Sequence, residues 1–309
     1  MKLLIGIVTY NSEGTIKNCL DSLSNLNLGE TELEITIHDN ASRDHTISLI
    51  HENYPHVHIV GSLQNKGYAF GVNRIAESTS WDYFLILNPD IRINNLDFPK
   101  IIDLMSSKPD VGLIGARLVN AKGESIHSYG DLLSPQMLRY DFSGFRSLFH
   151  NPNWSSYRKV NDETEPFETG YVTGAFMLIR RDWWNKVGNF DESFFLYFED
   201  TDWAYRLHKA GGKVIVDPDI VCVHESGASF GSGENVDEYK LTCFFESAYK
   251  YLTKHFGIDE SDRTFSFIKN RAMLKIKILE LTGRRNSDAY HRQEMVIRIH
   301  NALDQSGHG

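Results

Sequence analysis

No run of about 18 consecutive apolar residues occurs in this 309-residue chain, so the sequence predicts no membrane-crossing helix. Cysteine is scarce. Cys19, Cys222 and Cys243 lie far apart, with neither zinc-ligand spacing nor a disulfide framework, and they suit a reducing cytoplasm. No G-x-G-x-x-G is present, which removes support for a dinucleotide-binding fold. No internal repeat or low-complexity segment is visible. The apolar start, Met1 to Val8, leads into Thr9-Tyr10-Asn11 without a small-residue cleavage site. It therefore reads as a buried first strand rather than a signal peptide. Positive charge is short in the body of the chain: residues 1–239 hold 20 Lys and Arg against 33 Asp and Glu. That balance disfavours nucleic-acid binding. Residues 240–309 reverse it, with 12 against 8, inside a net charge of −9.

What is present is an ordinary globular composition, 41% apolar and 24% charged, with alternating periodicities. Leu3–Val8 is a continuous apolar strand. Ile16, Leu20, Leu23 and Leu26 recur at helical spacing. Residues 33–38 form a second strand, 46–54 a helix, 57–60 a third strand, 69–77 a helix and 83–87 a fourth strand. This alternation predicts an α/β fold with a mostly parallel, doubly wound sheet flanked by helices. Gly170–Ile179 reads as a strand, and 213–218 and 220–224 as two short strands. Residues 130–168 read as a long loop folding over a ligand. Beyond Gly233 the pattern is helical, over 239–256, 264–281 and 287–303. The expected organisation is one catalytic domain over 1–239, with halves at about 1–115 and 116–239, followed by a helical extension over 240–309.

Ligands of such sheets bind outside the carboxyl ends of the strands. The first, second and fourth strands each end in polar residues: Thr9-Tyr10-Asn11, Asp39-Asn40 and Asn88-Pro89-Asp90. Each feature has an ordinary structural explanation. Asn88-Pro89-Asp90 can cap a strand as an Asx turn, or Asp90 can hold a hard divalent cation through oxygen. Asp39 can serve a turn, or accept the N3–H of a pyrimidine. Lys66 can be a solvated charge or a counter-charge to phosphate. His224 can be a bonded strand-end histidine or a metal ligand.

Phe190–Leu207 gathers Asp191, Glu192, Glu199, Asp200 and Asp202 among aromatic rings. Unpaired burial of such groups is costly, so the stretch demands a reason. From Glu199 the spacing turns helical, which puts Glu199 and Asp200 at a helix start that favours negative charge. A capped helix and a carboxylate held at a cleft rim as general base are both compatible with it. The helix start should depress the Asp200 pKa, and burial among the rings should raise it.

Taken in order, Thr9-Tyr10-Asn11, Asp39 to Asp44, Asn65 to Asn73, Asn88-Pro89-Asp90, Val172 to Met177, Phe190 to Phe195, Phe198 to Asp202 and His224 closely resemble the family 2 glycosyltransferases of the GT-A fold. The resemblance spans about residues 3–230 and is nearest to the bacterial rhamnosyltransferase-like branch. It implies a GT-A fold, a Rossmann-like mostly parallel sheet, and a set of roles. Thr9, Tyr10, Asn11 and Asp39 would hold the nucleoside, with Lys66 and Asn73 near base, ribose or diphosphate. Asn88 and Asp90 occupy the family's D-x-D position, Asn88 replacing the first Asp. Asp90 and the distant His224 would ligate Mn2+ or Mg2+. Gly174 would border the donor sugar. Asp200 would be the catalytic base, with Glu199, Asp202 and Trp203 at the acceptor.

The reaction so implied is inverting transfer of a sugar from a dTDP- or UDP-linked donor to a hydroxyl of a glycan or lipid-linked glycan in cell-surface polysaccharide synthesis. dTDP-L-rhamnose is favoured on branch resemblance alone. A UDP-hexose or N-acetylhexosamine transferase, a nucleotidyltransferase and a catalytically silent nucleotide-sugar-binding module are the alternatives. The basic, apolar-punctuated tail has two readings: packing on the catalytic domain or on a second subunit as a homodimer, and an interfacial helix at the inner face of the plasma membrane. Packing is preferred, with peripheral membrane contact as a secondary role of a cytoplasmic protein.

Overall fold

A computed structural model of the chain describes residues 1–24, 26–143, 163–225 and 237–305. The elements run β1 (Lys2–Thr9), α1 (Ile16–Leu23), β2 (Glu32–Asp39), α2 (Thr46–Asn53), β3 (His58–Gly61), α3 (Tyr68–Ser78), β4 (Tyr83–Leu87) and β5 (Ile91–Asn95). Next come α4 (Phe98–Ser107), β6 (Val111–Val119), β7 (Tyr129–Gly130), α5 (Pro135–Phe142), β8 (Phe167–Thr169), β9 (Tyr171–Val172) and β10 (Phe176–Arg180). The chain closes with α6 (Arg181–Val187), α7 (Glu199–Lys209), β11 (Lys213–His224), α8 (Glu238–Phe256), α9 (Ile258–Leu281) and α10 (Asp288–Gln305). Packing divides the chain into two units. One holds the described parts of Met1–Leu132, Arg158–Phe195 and Glu199–Gly227, and the other those of Leu133–Tyr157, Leu196–Phe198 and Ala228–Gly309.

The first unit is built on a nine-stranded sheet of order β3-β2-β1-β4-β10-β6-β11-β5, with β8 added to β11. β1 runs parallel to β2 and β4, and β2 parallel to β3. β10 enters antiparallel between β4 and β6. Both faces of β1 are covered, as its unbroken apolar run requires. Leu3, Ile5 and Ile7 pack with α1, α2 and α4 residues such as Leu20, Ile50 and Ile101. Leu4 and Val8 pack on the other face with Val72, Ile75, Trp184 and Trp203. Position 6 shares that second face, and it is glycine there because a Cβ would fall 2.6 Å from the Phe84 ring. The mostly parallel, doubly covered sheet matches the expectation from strand–helix alternation.

Two local expectations need correction. Gly170–Ile179 is not one strand: β9 and β10 are separate, and residues 173–175 between them are irregular. Residues 213–224 are one strand, not two, with register shifts against β6 that accommodate Pro218. The expected loop over 130–168 contains α5, whose first turn is capped by Ser134 Oγ accepting the Met137 N–H. The rest of that expectation, 144–162, lies outside the described residues.

The second unit is helical. Phe245, Tyr251 and Leu252 of α8 are fully buried. The Phe245 ring meets the rings of Phe265 in α9 and His300 in α10 edge-on. Arg139 of α5 donates to Glu260 (2.7 Å) and Thr264 (2.8 Å) of α9. Leu196–Phe198 pack here too, with Ser247 Oγ donating to Leu196 O at 2.8 Å. No helix among the described residues is long and apolar enough to cross a membrane.

Candidate active site

The carboxyl ends of β1 and β2 are in register, Thr9 opposite Asp39. Thr9 Oγ1 donates to Asp39 Oδ1 at 2.8 Å, while Ser42 donates its N–H (2.8 Å) and its hydroxyl (2.6 Å) to the same carboxylate. Asp39 is thus fixed in orientation at the strand end with only a small exposed edge. Asn11 adopts a left-handed φ of 52° and its Oδ1 takes the Arg43 N–H at 2.8 Å, which ties the two loops together. Tyr10 stands half exposed beside them. Thr9, Tyr10, Asn11 and Asp39 therefore meet at one corner of the sheet.

The second corner lies at the end of β4. Asp90 Oδ2 is 3.0 Å from His224 Nε2, although the two are 134 residues apart in sequence. The β5–β11 pairing, with His224 opposite Ile91, makes this contact. Main-chain bonding reinforces it, since the Glu225 N–H donates to Asp90 O at 2.9 Å. Both side chains are 18% exposed, half buried with an open edge. A carboxylate oxygen and an imidazole nitrogen side by side are a donor set that would hold a divalent cation such as Mn2+ or Mg2+. The residues present fit such an ion. Among the described residues no group of three or more His, Cys, Asp or Glu is gathered to hold one alone.

The third corner is the start of α7. Asp200 Oδ2 accepts the Gly174 N–H at 2.7 Å, and its Oδ1 accepts the Thr201 N–H (2.5 Å) and Oγ1–H (3.0 Å). Gly174 lies in the break between β9 and β10. A Cβ added to it would lie 3.4 Å from the Tyr68 ring and 3.6 Å from Asp200 Oδ2. Phe176 pairs with Leu87, and the Asn88 N–H donates to Ala175 O at 3.1 Å. The Asp200 anchor therefore sits beside the loop that carries Asn88 and Asp90. Glu199, only 4% exposed, has an Oε2 with no hydrogen-bond partner. Burial, then the Asp200 charge, pushes the Glu199 pKa well up. Burial also raises Asp200, but the Gly174 and Thr201 donors oppose the rise. The pair is thus arranged so that Glu199 holds a proton more readily than Asp200.

Tyr68 is a site residue that composition and pattern did not single out. Its hydroxyl donates to Gly174 O at 2.8 Å. Burial raises its pKa well above the phenol range, and the charges of Glu199, Asp200 and Asp90 add to the rise. It therefore remains a protonated donor between the two carboxylate centres. The signal lay in Asn65-Lys66-Gly67-Tyr68, where Gly67 adopts φ 94° and α3 begins at Tyr68.

Some sequence-assigned residues face elsewhere. Asn73 is buried and fully engaged. Its Nδ2 donates to Phe190 O and Glu192 Oε1, and its Oδ1 takes the Phe190 N–H, so it braces the segment before α7 rather than a nucleotide. Trp203 is 0% exposed, its indole N–H donating to Gly188 O at 2.8 Å. It packs with Trp184 in the core and offers no face to an acceptor. Asp202, also 0% exposed, pairs with Arg206 at 2.8 Å on α7 itself. Helix phase turns both residues inward. Lys66 lies over the Phe70 ring, 4.7 Å from its centroid. It borders an open cavity of about 690 Å3 with His38, Gln64 and Arg74.

The sequence pattern described as glycosyl transferase family 2 matches residues 4–188. The N-acetylglucosaminyl-diphospho-decaprenol L-rhamnosyltransferase of Mycobacterium tuberculosis (strain ATCC 25618 / H37Rv) is 29% identical over 264 residues, covering 81% of this chain and 84% of its own. Rhamnosyltransferase WbbL of Escherichia coli (strain K12) is 26% identical over 71% of this chain and 81% of its own. Among solved structures, mannosyltransferase PcManGT from Pyrobaculum calidifontis, in complex with GDP-Man and Mn2+, superposes with a TM-score of 0.57 at 15% identity. That match covers 98% of this chain and 87% of PcManGT. S. aureus TarS matches with a TM-score of 0.54 at 14% identity over 88% of this chain, which spans 43% of the length of TarS. These structural likenesses carry the fold alone. The matched family region ends before α7 and β11, so Asp200 and His224 lie beyond it. With the strand-end corners and the ordered motifs that precede them, this match makes the chain a glycosyltransferase of family 2 with a GT-A-type fold.

Proposed function

We propose that the chain is an inverting rhamnosyltransferase. It would transfer L-rhamnose from dTDP-L-rhamnose to a hydroxyl of a glycan or lipid-linked glycan in cell-surface polysaccharide assembly. The observation that carries the reading is that one unit holds two strand-end pairs and a helix-start carboxylate. These are Asp39 with Thr9, Asp90 with His224, and Asp200 anchored on Gly174. The sugar assignment is supported by the rhamnosyltransferase names of two relatives.

In this reading Thr9, Asn11 and Asp39 receive the nucleoside, Asp39 through a pyrimidine N3–H, and the exposed Tyr10 ring covers the base. Asp90 and His224 would hold Mn2+ or Mg2+, which would supply Lewis-acid stabilisation to the leaving diphosphate. Asn88 in place of an acid leaves one charge fewer beside it. Asp200 takes the proton of the acceptor hydroxyl as that oxygen attacks the anomeric carbon. The bond from that carbon to the diphosphate breaks, and a single attack from the opposite face inverts the centre. The Gly174 and Thr201 donors favour the charged form of Asp200 and so oppose the rise in its pKa that burial causes. Burial and the Asp200 charge push the Glu199 pKa up, which favours the proton on Glu199 and lessens the negative charge beside Asp200.

Incubation with dTDP-L-rhamnose, UDP-glucose, UDP-N-acetylglucosamine and GDP-mannose, with free nucleoside diphosphate as the readout, tests the reading without a known acceptor. Release from dTDP-L-rhamnose above the others supports it. Preference for a UDP-sugar replaces the donor but keeps the chemistry. Binding of a donor without any release indicates a silent binding module.

A further inference from the structure

Helix α9 has two apolar faces, and only one is used. Ser261, Thr264, Phe265, Ile268, Ala272 and Leu279 are buried within the helical unit. Leu274, Ile278 and Leu281, spaced four and three residues apart, form a second stripe that is 47%, 52% and 88% exposed. Residues at this spacing share one helix face. The helix is therefore already packed by its inner face, and the outer stripe is surplus to folding.

The charge around the stripe is one-sided. Residues 263–285 contain seven Lys and Arg and a single acid, Glu280. Some of these cations are committed: Arg263 to Glu260, Lys269 to Asp304, Arg271 to Ser143 O and Arg285 to Glu280. Lys275, Lys277 and Arg284 are exposed and make no ion pair with any described residue. They lie on or just beyond the segment that carries the stripe. Apolar residues flanked by uncompensated cations are the pattern of a helix that lies in the headgroup layer of an anionic bilayer. A second copy of this chain docking on the same face would bring two such cationic segments together, which opposes self-association there.

We propose that the Leu274–Leu281 face of α9 is a peripheral docking surface for an anionic lipid bilayer. Leu274, Ile278 and Leu281 enter the acyl boundary, and Lys275, Lys277 and Arg284 lie against the headgroup phosphates. This goes beyond the transfer reaction and does not depend on which sugar is moved.

The experiment is co-sedimentation of the full chain with vesicles of phosphatidylcholine, with and without phosphatidylglycerol, at low and high salt. Binding that requires phosphatidylglycerol and weakens with salt is expected. Lys275→Gln, Lys277→Gln and Arg284→Gln together should weaken it roughly a hundred-fold, at about five-fold per cation. Ile278→Ser with Leu281→Ser should abolish it. Both variants should retain wild-type thermal unfolding and wild-type release of nucleoside diphosphate, because every changed side chain is exposed and outside the site. Binding independent of phosphatidylglycerol, absence of binding, or full retention by either variant overturns the proposal. So does a wild-type dimer in sedimentation velocity that dissociates on Ile278→Ser with Leu281→Ser.

Discussion

Replacing Glu199 by Gln tests the electrostatic arrangement of the site more sharply than removing the base. Glu199 is 4% exposed and its Oε2 has no partner, so the isosteric amide enters the same space. Desolvation first, and the neighbouring Asp200 second, raise its pKa well above the ordinary value of 4.5. A carboxyl whose folded pKa is raised binds its proton more tightly when folded. Its favourable contribution is complete below about pH 4.5 and is lost as the pH climbs toward the folded pKa. Each pH unit in which the folded chain keeps the proton and the unfolded chain has lost it costs the wild type about 1.4 kcal/mol. Glutamine carries no such cost. Groups common to both proteins, such as the buried Asp217, cancel in the comparison.

That sign fixes the expected result. In urea unfolding at a series of pH values from 4.5 upward, Glu199→Gln should equal the wild type at the acid end. It should then gain on it by about 1.4 kcal/mol per pH unit until the folded glutamate ionises. The difference should be constant beyond that point. Parallel curves would mean that Glu199 titrates normally, and a variant that falls behind with rising pH would mean that the carboxylate is stabilised in the fold. Either result refutes a neutral Glu199 and with it the separation of roles between Glu199 and Asp200.

Asp200→Asn should lower kcat about 10²- to 10⁴-fold with little change in donor binding, as measured by nucleoside diphosphate release and by titration with dTDP. Asparagine offers one acceptor oxygen where Asp200 uses two, so stability should also fall by about 1–3 kcal/mol. Chelation should suppress release. Asp90→Ala and His224→Ala should each raise the Mn2+ concentration needed for half-maximal rate, and turnover that is indifferent to metal would overturn the ligand assignment. Gly67→Ala should lower thermal stability by at least about 1–3 kcal/mol. Its φ is 94°, and a Cβ would fall 2.6 Å from Phe195 O.

The buried sheet was legible because each strand is a short apolar run closed by polar residues, and Leu3–Val8, 33–38 and 83–87 emerge close to those bounds. Direction and continuity were not legible. Pro218 suggested a break in 213–224, yet a register shift against β6 absorbs it. In the site, Thr9 and Asp39 could be placed from strand ends alone. Pairing Asp90 with His224 required the family resemblance, because no local pattern joins residues 134 apart. Trp203 and Asn73 went astray for a different reason. Both have chemistry suited to a ligand, but their orientation depends on which side of α7 and α3 faces the core. In α7 the helical spacing of Trp203, Ala204 and Leu207 does mark the buried side, and the acceptor role given to Trp203 came from the resemblance against that pattern.

The antiparallel entry of β10 is what joins the two catalytic corners. β1, β2 and β4 run parallel and all end at one edge, so each can contribute only the loop after its last residue. A strand entering from that edge contributes the loop before its first residue. β10 pairs Phe176 with Leu87, which places residues 173–175 alongside 88–90 and lets Ala175 O accept the Asn88 N–H. Gly174 then has its carbonyl on the Tyr68 hydroxyl and its N–H on Asp200. A continuous strand over 170–179 would commit that N–H to a neighbouring strand. The irregular turn between β9 and β10 is therefore the feature that frees a main-chain donor for Asp200. Upstream, Tyr197 and Phe198 adopt left-handed φ values of 69° and 68° just before Glu199. Two consecutive non-glycine residues in that region cost about 1–3 kcal/mol each. That cost is tolerated where a fixed helix start is required, and the helix start here delivers Asp200 to the Gly174 N–H.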